Sequence, residues 1–197
     1  MRPTREDLLA SNGRTIPDVL AGDLDVLFCG INPGLWSGWS GHHFARPGNR
    51  FWPALYRSGF TPRLLAPSEQ DLLPSYGLGI TNLVERASAR ADELTVGELL
   101  DGGAALRVKV AARRPRWLAV VGITAYRTAF GHPKAVIGPQ DDLDGIHVWV
   151  LPNPSGLNAH YDVDRLAAEF ARLREQVGSA RSSRRGGGTR PADLTTP

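Results

Sequence analysis

Two asparagine-containing loops carry residue types that could do chemistry. GINPG (30–34) and NPSG (153–156) each follow a short apolar run suited to a buried strand. Glycine lets a ligand approach the backbone, and proline stiffens the turn so that the amide has a fixed direction. Because a carboxamide takes no proton near neutral pH, neither asparagine could act as a base. Each loop alone is also an ordinary β-turn sequence.

The segment around the first loop, CGINPGLWSGWSGHHFARPGNRFW (29–52), is rich in aromatic and cationic side chains. The chain has no acidic residue from Val26 to Ser68, and this stretch contains four arginines: Arg46, Arg50, Arg57 and Arg63. The pattern predicts a locally electropositive surface. Its aromatic rings suit a flat, neutral heterocycle attached to a phosphate backbone. For Trp36 and Trp39, packing of the loop is as good an explanation as contact with such a ligand.

Several common kinds of site lack their sequence signatures. The chain has no G-x-G-x-x-G after a strand, no G-K-[ST] and no G-x-S-x-G, which argues against a dinucleotide site, a P-loop and an ordinary serine hydrolase. Its five histidines show no metal-ligand spacing, and its single cysteine excludes a disulfide or a cysteine-ligated cluster within the chain.

The remaining sequence alternates apolar runs with helical patterns. Strands are predicted at 25–30, 77–84 and 117–122, and a fourth strand that runs into a turn is predicted within 147–156. Helices are predicted at 49–60, 95–114, 124–131 and 162–178. This order predicts an α/β fold, a three-layer sandwich with a mostly parallel central sheet and helices on both faces. Ligands of such sheets bind beyond the carboxyl ends of the strands, where both asparagine loops fall.

One domain is expected over residues 18–178, with an N-terminal extension at 1–17 and a disordered Arg/Gly/Ser-rich tail at 179–197. The tail has four Arg and one Asp, and 4 − 1 = +3 accounts for the whole formal net charge. It could be a solvated terminus or a salt-sensitive phosphate tether. With no signal-peptide or membrane-spanning pattern, a cytoplasmic location is expected.

The segments GINPG, GHHFARPGNRFW, GITNLVER and VLPNPSGL occur in an order that resembles the mismatch-specific uracil/thymine DNA glycosylases of the uracil-DNA glycosylase superfamily. The resemblance covers most of the chain, from about Asp25 to about Val177. It implies a monomeric enzyme that needs no metal or organic cofactor and acts on double-stranded DNA containing a G·U or related mismatch. It also implies nucleoid association on DNA and downstream enzymes that process the abasic product.

The resemblance also implies roles for residues of the first loop region. Asn32 would position water, and Ile31, Ser37 and Phe44 would bind the base, with Phe44 stacking on it and Ser37 near its 5-position. Backbone N–H groups between Ile31 and Phe44 would meet the negative charge of the departing base. Phe44 could instead be a core aromatic.

The second loop would enter the duplex. Leu157 would be an apolar wedge, and Asn153, Ser155, Gly156 and Asn158 would read the opposite base. In particular, the Gly156 carbonyl and the Asn158 amide would face the Watson–Crick edge of that base. The alternative for Leu157 is a residue that caps the core.

Some positions depart from the family pattern. Asn158 replaces a common serine, Ala159 a basic residue of some members, and Asn82 a common lysine. Asp92 and Glu93 could be auxiliary carboxylates or a solvated acidic pair.

Two functions stay open for the chain. One is a monofunctional glycosylase that removes uracil opposite guanine, with thymine and damaged cytosine as further candidates. The other is a non-catalytic nucleic-acid or nucleotide-binding α/β module.

Overall fold

Five strands form one sheet in the computed structural model, which describes residues 2–185. The strands are β1 (Val26–Gly30), β2 (Leu78–Asn82), β3 (Trp117–Val121), β4 (Gly138–Leu143) and β5 (Ile146–Leu151), in the spatial order β2-β1-β3-β5-β4. The first three strands and β5 are parallel, and β4 pairs antiparallel with β5. The predicted mostly parallel sheet is confirmed.

Within the described residues, six α-helices surround the sheet: α1 (Arg5–Leu9), α2 (Leu35–Ser40), α3 (Phe51–Arg57), α4 (Val96–Arg113), α5 (Ile123–Phe130) and α6 (Val163–Arg185). Short 3₁₀ segments lie at 67–76 and 91–93. Helix α4 begins with a capping box, in which the hydroxyl of Thr95 accepts from the Glu98 amide and the Glu98 carboxylate accepts from the Thr95 amide. None of the described helices is long and apolar enough to cross a bilayer.

The core lies on both faces of the sheet, because successive side chains of a buried strand point to opposite sides. In β1, Val26 and Phe28 face a cluster that includes residues of α3 and α6. Leu27 and Cys29 face a second cluster that includes residues of α4 and α5. This arrangement confirms the three-layer α/β sandwich.

Two glycines allow α4 to pack closely against its neighbours. A Cβ on Gly102 would lie 2.3 Å from the carbonyl oxygen of Leu83, and a Cβ on Gly103 would lie 2.4 Å from that of Ala129. Their absent side chains therefore let α4 approach the segment after β2 and the end of α5. That segment leads into one wall of the site described below.

The structure differs from the sequence prediction in several elements. Helices α1 and α2 and the edge strand β4 were not predicted, and α3 is shorter than the predicted 49–60. Strand β4 reads GPQDDL and leaves its middle residues largely exposed, so it lacks the apolar pattern of the buried strands. Helix α6 continues to Arg185, so the prediction of a disordered tail is wrong for 179–185. The rest of that tail lies outside the described residues.

Candidate active site

A cavity of about 350 Å³ lies beyond the carboxyl ends of β1, β2 and β3. Its walls come from the loop after β1, the aromatic segment at 43–49, the segment at 88–92 and the loop at 153–157. The fold thus brings together the two asparagine loops, which are more than a hundred residues apart in sequence. Seven predicted site residues line it: Ile31, Asn32, Ser37, Phe44, Asn153, Ser155 and Leu157.

The side chain of Asn32 is held through its nitrogen. Its Nδ2 donates to the hydroxyl of Ser88 at 2.8 Å and to the carbonyl oxygen of Arg86 at 3.0 Å. Both amide hydrogens are therefore directed at protein acceptors, and Oδ1 is the atom that can accept from a ligand or a water in the cavity. Asn32 has the fixed direction predicted for it.

Ser88 was not recognised from the sequence. It is buried, its hydroxyl donates to the carbonyl oxygen of Arg90 at 2.7 Å, and its amide donates to that of Pro33 at 3.1 Å. With its own proton committed to Arg90, the Ser88 oxygen is left to accept from Asn32. The segment VERASAR that contains Ser88 has no feature that marks a functional serine.

Phe44 lines the cavity and also packs against the core. Its ring stacks on Phe51 with centroids 4.0 Å apart and planes inclined by 15°. The φ angle of Phe44 is 53°, a left-handed conformation that is uncommon for a bulky residue. Such strain persists only where surrounding contacts hold the residue, and it concentrates at functional sites. Phe44 therefore both faces the cavity and packs against the core.

His43 is buried beside the cavity and is tied to Asn82. Its Nε2 lies 2.9 Å from the carbonyl oxygen of Pro17, which can only accept, so Nε2 carries the proton. Burial lowers the pKa of His43, so the ring is neutral and Nδ1 has a free lone pair. Nδ1 lies 3.4 Å from the Nδ2 of Asn82, which can donate to that lone pair. The sequence shows Asn82 only as a replacement for a lysine common in the family. In the structure it is an oriented amide in the wall of the cavity.

Ser37 and Ile31 are placed by local packing. Ser37 is buried, and its hydroxyl accepts from the Ala45 amide at 3.3 Å. Ile31 is half-buried and lies over Gly122, where an added Cβ would meet its Cδ1 at 2.9 Å. Several amides of the 31–44 segment are already bonded within the protein, among them those of Gly38, Gly41 and His43. These amides are not free to bind a departing base.

The loop at 153–158 is closed by its own hydrogen bonds. The Asn153 Oδ1 accepts from the Ser155 amide, and the Asn158 Nδ2 donates to the Asn153 carbonyl. The Asn158 amide donates to the Ser155 carbonyl at 2.9 Å, and Gly156 packs on the chain at Gly48. Since an amide has one proton, the predicted contact of the Asn158 amide with an opposite base would require this turn to open.

Leu157 projects from this loop. Its exposed fraction is 74%, so it is not the core-capping residue of the alternative reading. Leu157 also lines the cavity, so this exposed apolar side chain can contact a molecule that enters there. Gly156 and Asn158 belong to the same loop but do not line the cavity.

The predicted electropositive surface is weaker than the sequence implied. Arg57 pairs with Asp164 of α6 and Arg63 pairs with Glu69, so two of the four arginines meet carboxylates from outside the acid-free stretch. Arg50 points into the 155–161 loop rather than at solvent. Arg46 is exposed and lines the cavity. It is the arginine of this group best placed to meet a phosphate.

Trp36 and Trp39 pack on each other, with ring centroids 6.1 Å apart and planes inclined by 81°. Both rings are half-buried and neither lines the cavity, which favours the packing interpretation. Asp92 reaches the cavity wall and forms an ion pair with Arg90. Glu93 is exposed. Within residues 2–185, no group of three or more His, Cys, Asp or Glu side chains is placed to hold a metal ion.

Comparison with known proteins agrees with this geometry. Residues 17–176 match the family model described as the uracil DNA glycosylase superfamily. The fold is also similar to the solution structure of a candidate uracil DNA glycosylase from Methanosarcina acetivorans, with a TM-score of 0.59 and 18% sequence identity. The similarity covers 84% of this chain and 98% of that one. At this identity, the structural match shows a shared fold.

The family match spans the whole sheet, both asparagine loops and every element that lines the cavity. It includes all seven predicted site residues that line the cavity, whereas Ile16, which also lines it, lies one residue outside the match. The chain belongs to the uracil DNA glycosylase superfamily, whose members are DNA glycosylases.

Proposed function

We propose that this protein is a monofunctional DNA glycosylase that hydrolyses the N-glycosidic bond of uracil opposite guanine and so begins base excision repair. The observation that carries the proposal is the orientation of Asn32. Its amide nitrogen is bonded to Ser88 and Arg86, which leaves its oxygen to hold a water in the cavity. The arrangement suits hydrolysis at a sugar carbon brought into the cavity.

The proposed reaction begins when the target nucleotide leaves the base stack, since a base inside a duplex cannot be attacked at its sugar carbon. As the glycosidic bond breaks, positive charge develops on the sugar and negative charge on the departing base. Asn32 cannot remove a proton from the water, so it orients that water towards C1′. The proton that the water loses as it bonds to C1′ passes to the uracil anion, which leaves as neutral uracil. The enzyme therefore depends on a good leaving group, which favours uracil over unmodified bases. Neither a metal nor an organic cofactor takes part in this scheme.

Two residues of the cavity support a pyrimidine as the bound base. Phe44 is backed by Phe51 and offers an aromatic surface on which a planar ring can stack. Asn82 offers a carbonyl acceptor and an N–H donor, the complement of the N3–H and O4 edge of uracil. Cytosine carries an amino donor at the place of O4 and would meet the amide in the wrong order.

Preference for guanine in the opposite strand rests mainly on the mismatch itself. A wobble pair costs less free energy to open than a matched pair, so the G·U nucleotide leaves the stack more readily than the A·U nucleotide. The Gly156 carbonyl keeps a second lone pair for the opposite base, whereas the Asn158 amide is occupied in the turn. We expect G·U to be cleaved at least about tenfold faster than A·U, about 1.4 kcal/mol of discrimination.

The test is a single-turnover assay on a labelled duplex with one G·U pair, followed by alkali to reveal abasic sites. We expect cleavage at the uracil by the wild type, and at least about 10²-fold slower cleavage by Asn32→Ala with duplex binding retained, the loss typical of one positioned polar group. Full activity in Asn32→Ala would contradict the mechanism. Duplex binding without abasic sites would instead support the non-catalytic binding module.

The proposal includes a monomeric enzyme that works on DNA in the cytoplasm or nucleoid and leaves an abasic site for other repair enzymes. Thymine and damaged cytosine opposite guanine are secondary substrates to be tested in the same assay. The duplexes would differ only at the one target base, so that their rates compare leaving group and fit.

A further inference from the structure

The guanidinium of Arg50 is surrounded by backbone carbonyls of the loop that carries Leu157. Its Nη1 donates to the carbonyl oxygens of Tyr161 at 2.6 Å and Asn158 at 2.8 Å, with that of Ser155 at 3.3 Å. Its Nη2 donates to that of Gly156 at 3.1 Å. The Arg50 backbone amide adds a fifth bond, to the carbonyl of Pro154 at 2.9 Å.

We infer that Arg50 is a positioning residue, which holds the 155–161 loop in the conformation that presents Leu157 to the duplex. The inference rests on the proposed function, in which Leu157 enters the base stack. Arg50 would thus serve strand separation without touching the DNA, although its charge and its place in an acid-free segment suggest a phosphate contact.

The carbonyl contacts explain why the loop can expose an apolar side chain and remain ordered. Four carbonyls turned towards one cation leave the side chain of Leu157, between two of the bonded residues, directed outward with 74% of its surface exposed. Hydrogen bonds from a charged donor are stronger than those between neutral groups. Without them, the carbonyls would bond to water and the loop would sample other conformations.

Arginine is suited to this role and lysine is not. A guanidinium presents five N–H donors in a planar fork, so one side chain can reach carbonyls that converge from different parts of a turn. A lysine ammonium is a compact charge with three donors on a flexible stem. Arg50→Lys therefore keeps the charge while losing most of the fixed geometry.

Phe51, the residue after Arg50, links the 155–161 loop to the wall of the cavity that contains Phe44. Phe51 stacks on Phe44 and is fully buried, so the start of α3 holds Leu157 through Arg50 and Phe44 through Phe51. The Arg50 carbonyl also accepts the Ala54 amide, which anchors the residue to the helix. A rigid helix start can thus fix the distance between the base site and the wedge.

The test compares Arg50→Lys and Arg50→Met with the wild type and with a control, Arg57→Met, which removes an arginine of the same helix that forms an exposed ion pair with Asp164. Single-turnover rates are measured on a G·U duplex and on single-stranded uracil DNA. We expect both Arg50 variants to lose at least about tenfold on the duplex and less than about twofold on the single strand, where no stack must be opened. Equal losses on the two substrates would overturn the inference.

A double-mutant cycle with Leu157→Ala uses the duplex alone. If Arg50 acts through Leu157, adding Arg50→Lys to Leu157→Ala slows the duplex reaction by less than about twofold further. If the double variant is instead slowed by the product of the two single-variant factors, Arg50 does not act through Leu157. Arg50→Met, which removes the charge, should also leave the slope of log binding constant against log salt unchanged, because a lost phosphate contact would reduce its size by about 0.9.

Amide hydrogen exchange separates a failure of this inference from a failure of the proposed function. We expect faster exchange in Arg50→Lys at residues 155–161 and unchanged exchange in β1 and β3. Unchanged loop exchange would overturn the inference even if the enzyme cleaves uracil. A wild type that cleaves no uracil substrate would overturn the proposed function, while the exchange data would still show whether Arg50 holds the loop.

Discussion

The Asn32 Nδ2 donates to the Ser88 hydroxyl at 2.8 Å across a gap of 56 residues in sequence. This bond joins the loop after β1 to the segment after β2, and the bond from the Ser88 amide to the Pro33 carbonyl reinforces the junction. A carboxamide has two nearly isosteric ends. Because the Ser88 hydroxyl gives its proton to the Arg90 carbonyl, it can only accept from Asn32, and this decides which end of the amide faces the cavity. Ser88 is thus a determinant of the orientation of Asn32.

Ser88→Ala should slow single-turnover cleavage of a G·U duplex by about tenfold, because the Arg86 carbonyl alone would then hold the Asn32 side chain in its orientation. The matched control is Ser58→Ala, since Ser58 is also buried and donates to a backbone carbonyl, that of Leu55, but does not line the cavity. Both variants should melt at similar temperatures. A control as slow as Ser88→Ala would point to a general loss of stability.

Phe44→Ala should weaken binding of a uracil-containing duplex by about 1–3 kcal/mol, the usual range for a base stacked on an aromatic ring. A duplex with a non-hydrolysable 2′-fluoro-deoxyuridine allows the dissociation constant to be measured without cleavage. Phe60→Ala is the control, because Phe60 is half-buried against the same core cluster but does not line the cavity. Equal binding by Phe44→Ala and Phe60→Ala would leave Phe44 as a core residue only.

The fold was largely predictable because its four parallel strands are apolar and separated by helical patterns. The edge strand β4 was missed because an exposed strand with the sequence GPQDDL needs little apolar surface. Helix α2 was missed because LWSGWS contains a glycine and two serines, which are weak helix formers.

The site was predictable only where residue type limits the chemistry. Asn32 in GINPG and Leu157 after NPSG lie in segments that resemble the family motifs, and the structure brings both to one cavity. Ser88 could not be found, since its importance depends on a partner 56 residues away. Arg50 was read as part of a surface patch, because a sequence shows its charge but not the carbonyls that surround it.

His43 should make the stability of the protein depend on pH. Burial lowers its pKa from the ordinary value of 6.5, so the unfolded chain binds a proton that the folded chain does not. The free energy of unfolding is therefore highest above pH 6.5 and falls as the pH drops towards the lowered folded pKa. Denaturant unfolding between about pH 7.5 and pH 5 measures this slope.

His43→Gln should reduce that slope, because a glutamine can bond to the Pro17 carbonyl and to Asn82 without titrating. His160→Gln is the control, since His160 is exposed and should leave the slope unchanged. If wild type and His43→Gln lose stability in parallel as the pH falls, the effect belongs to other groups.

Gly156→Ala tests the conformation of the 153–158 loop without changing Arg50. A Cβ at this position would lie 2.7 Å from the carbonyl oxygen of Gly48, so the loop must shift to accommodate it. Because the Gly48 carbonyl belongs to the backbone, it cannot rotate away as a side chain could. The shift of the loop should therefore displace Leu157 from its position at the cavity. We expect at least about a tenfold slower reaction on a G·U duplex, with single-stranded uracil affected much less.

The control for this change is Gly97→Ala on the first turn of α4, where the added methyl group meets nothing closer than 3.8 Å. Alanine in a helix is favoured over glycine by up to about 1 kcal/mol, so this variant should melt slightly higher and cleave at the wild-type rate. If Gly156→Ala also cleaves the duplex at the wild-type rate, the position of Leu157 does not limit the reaction, and Arg50 would have no wedge to position.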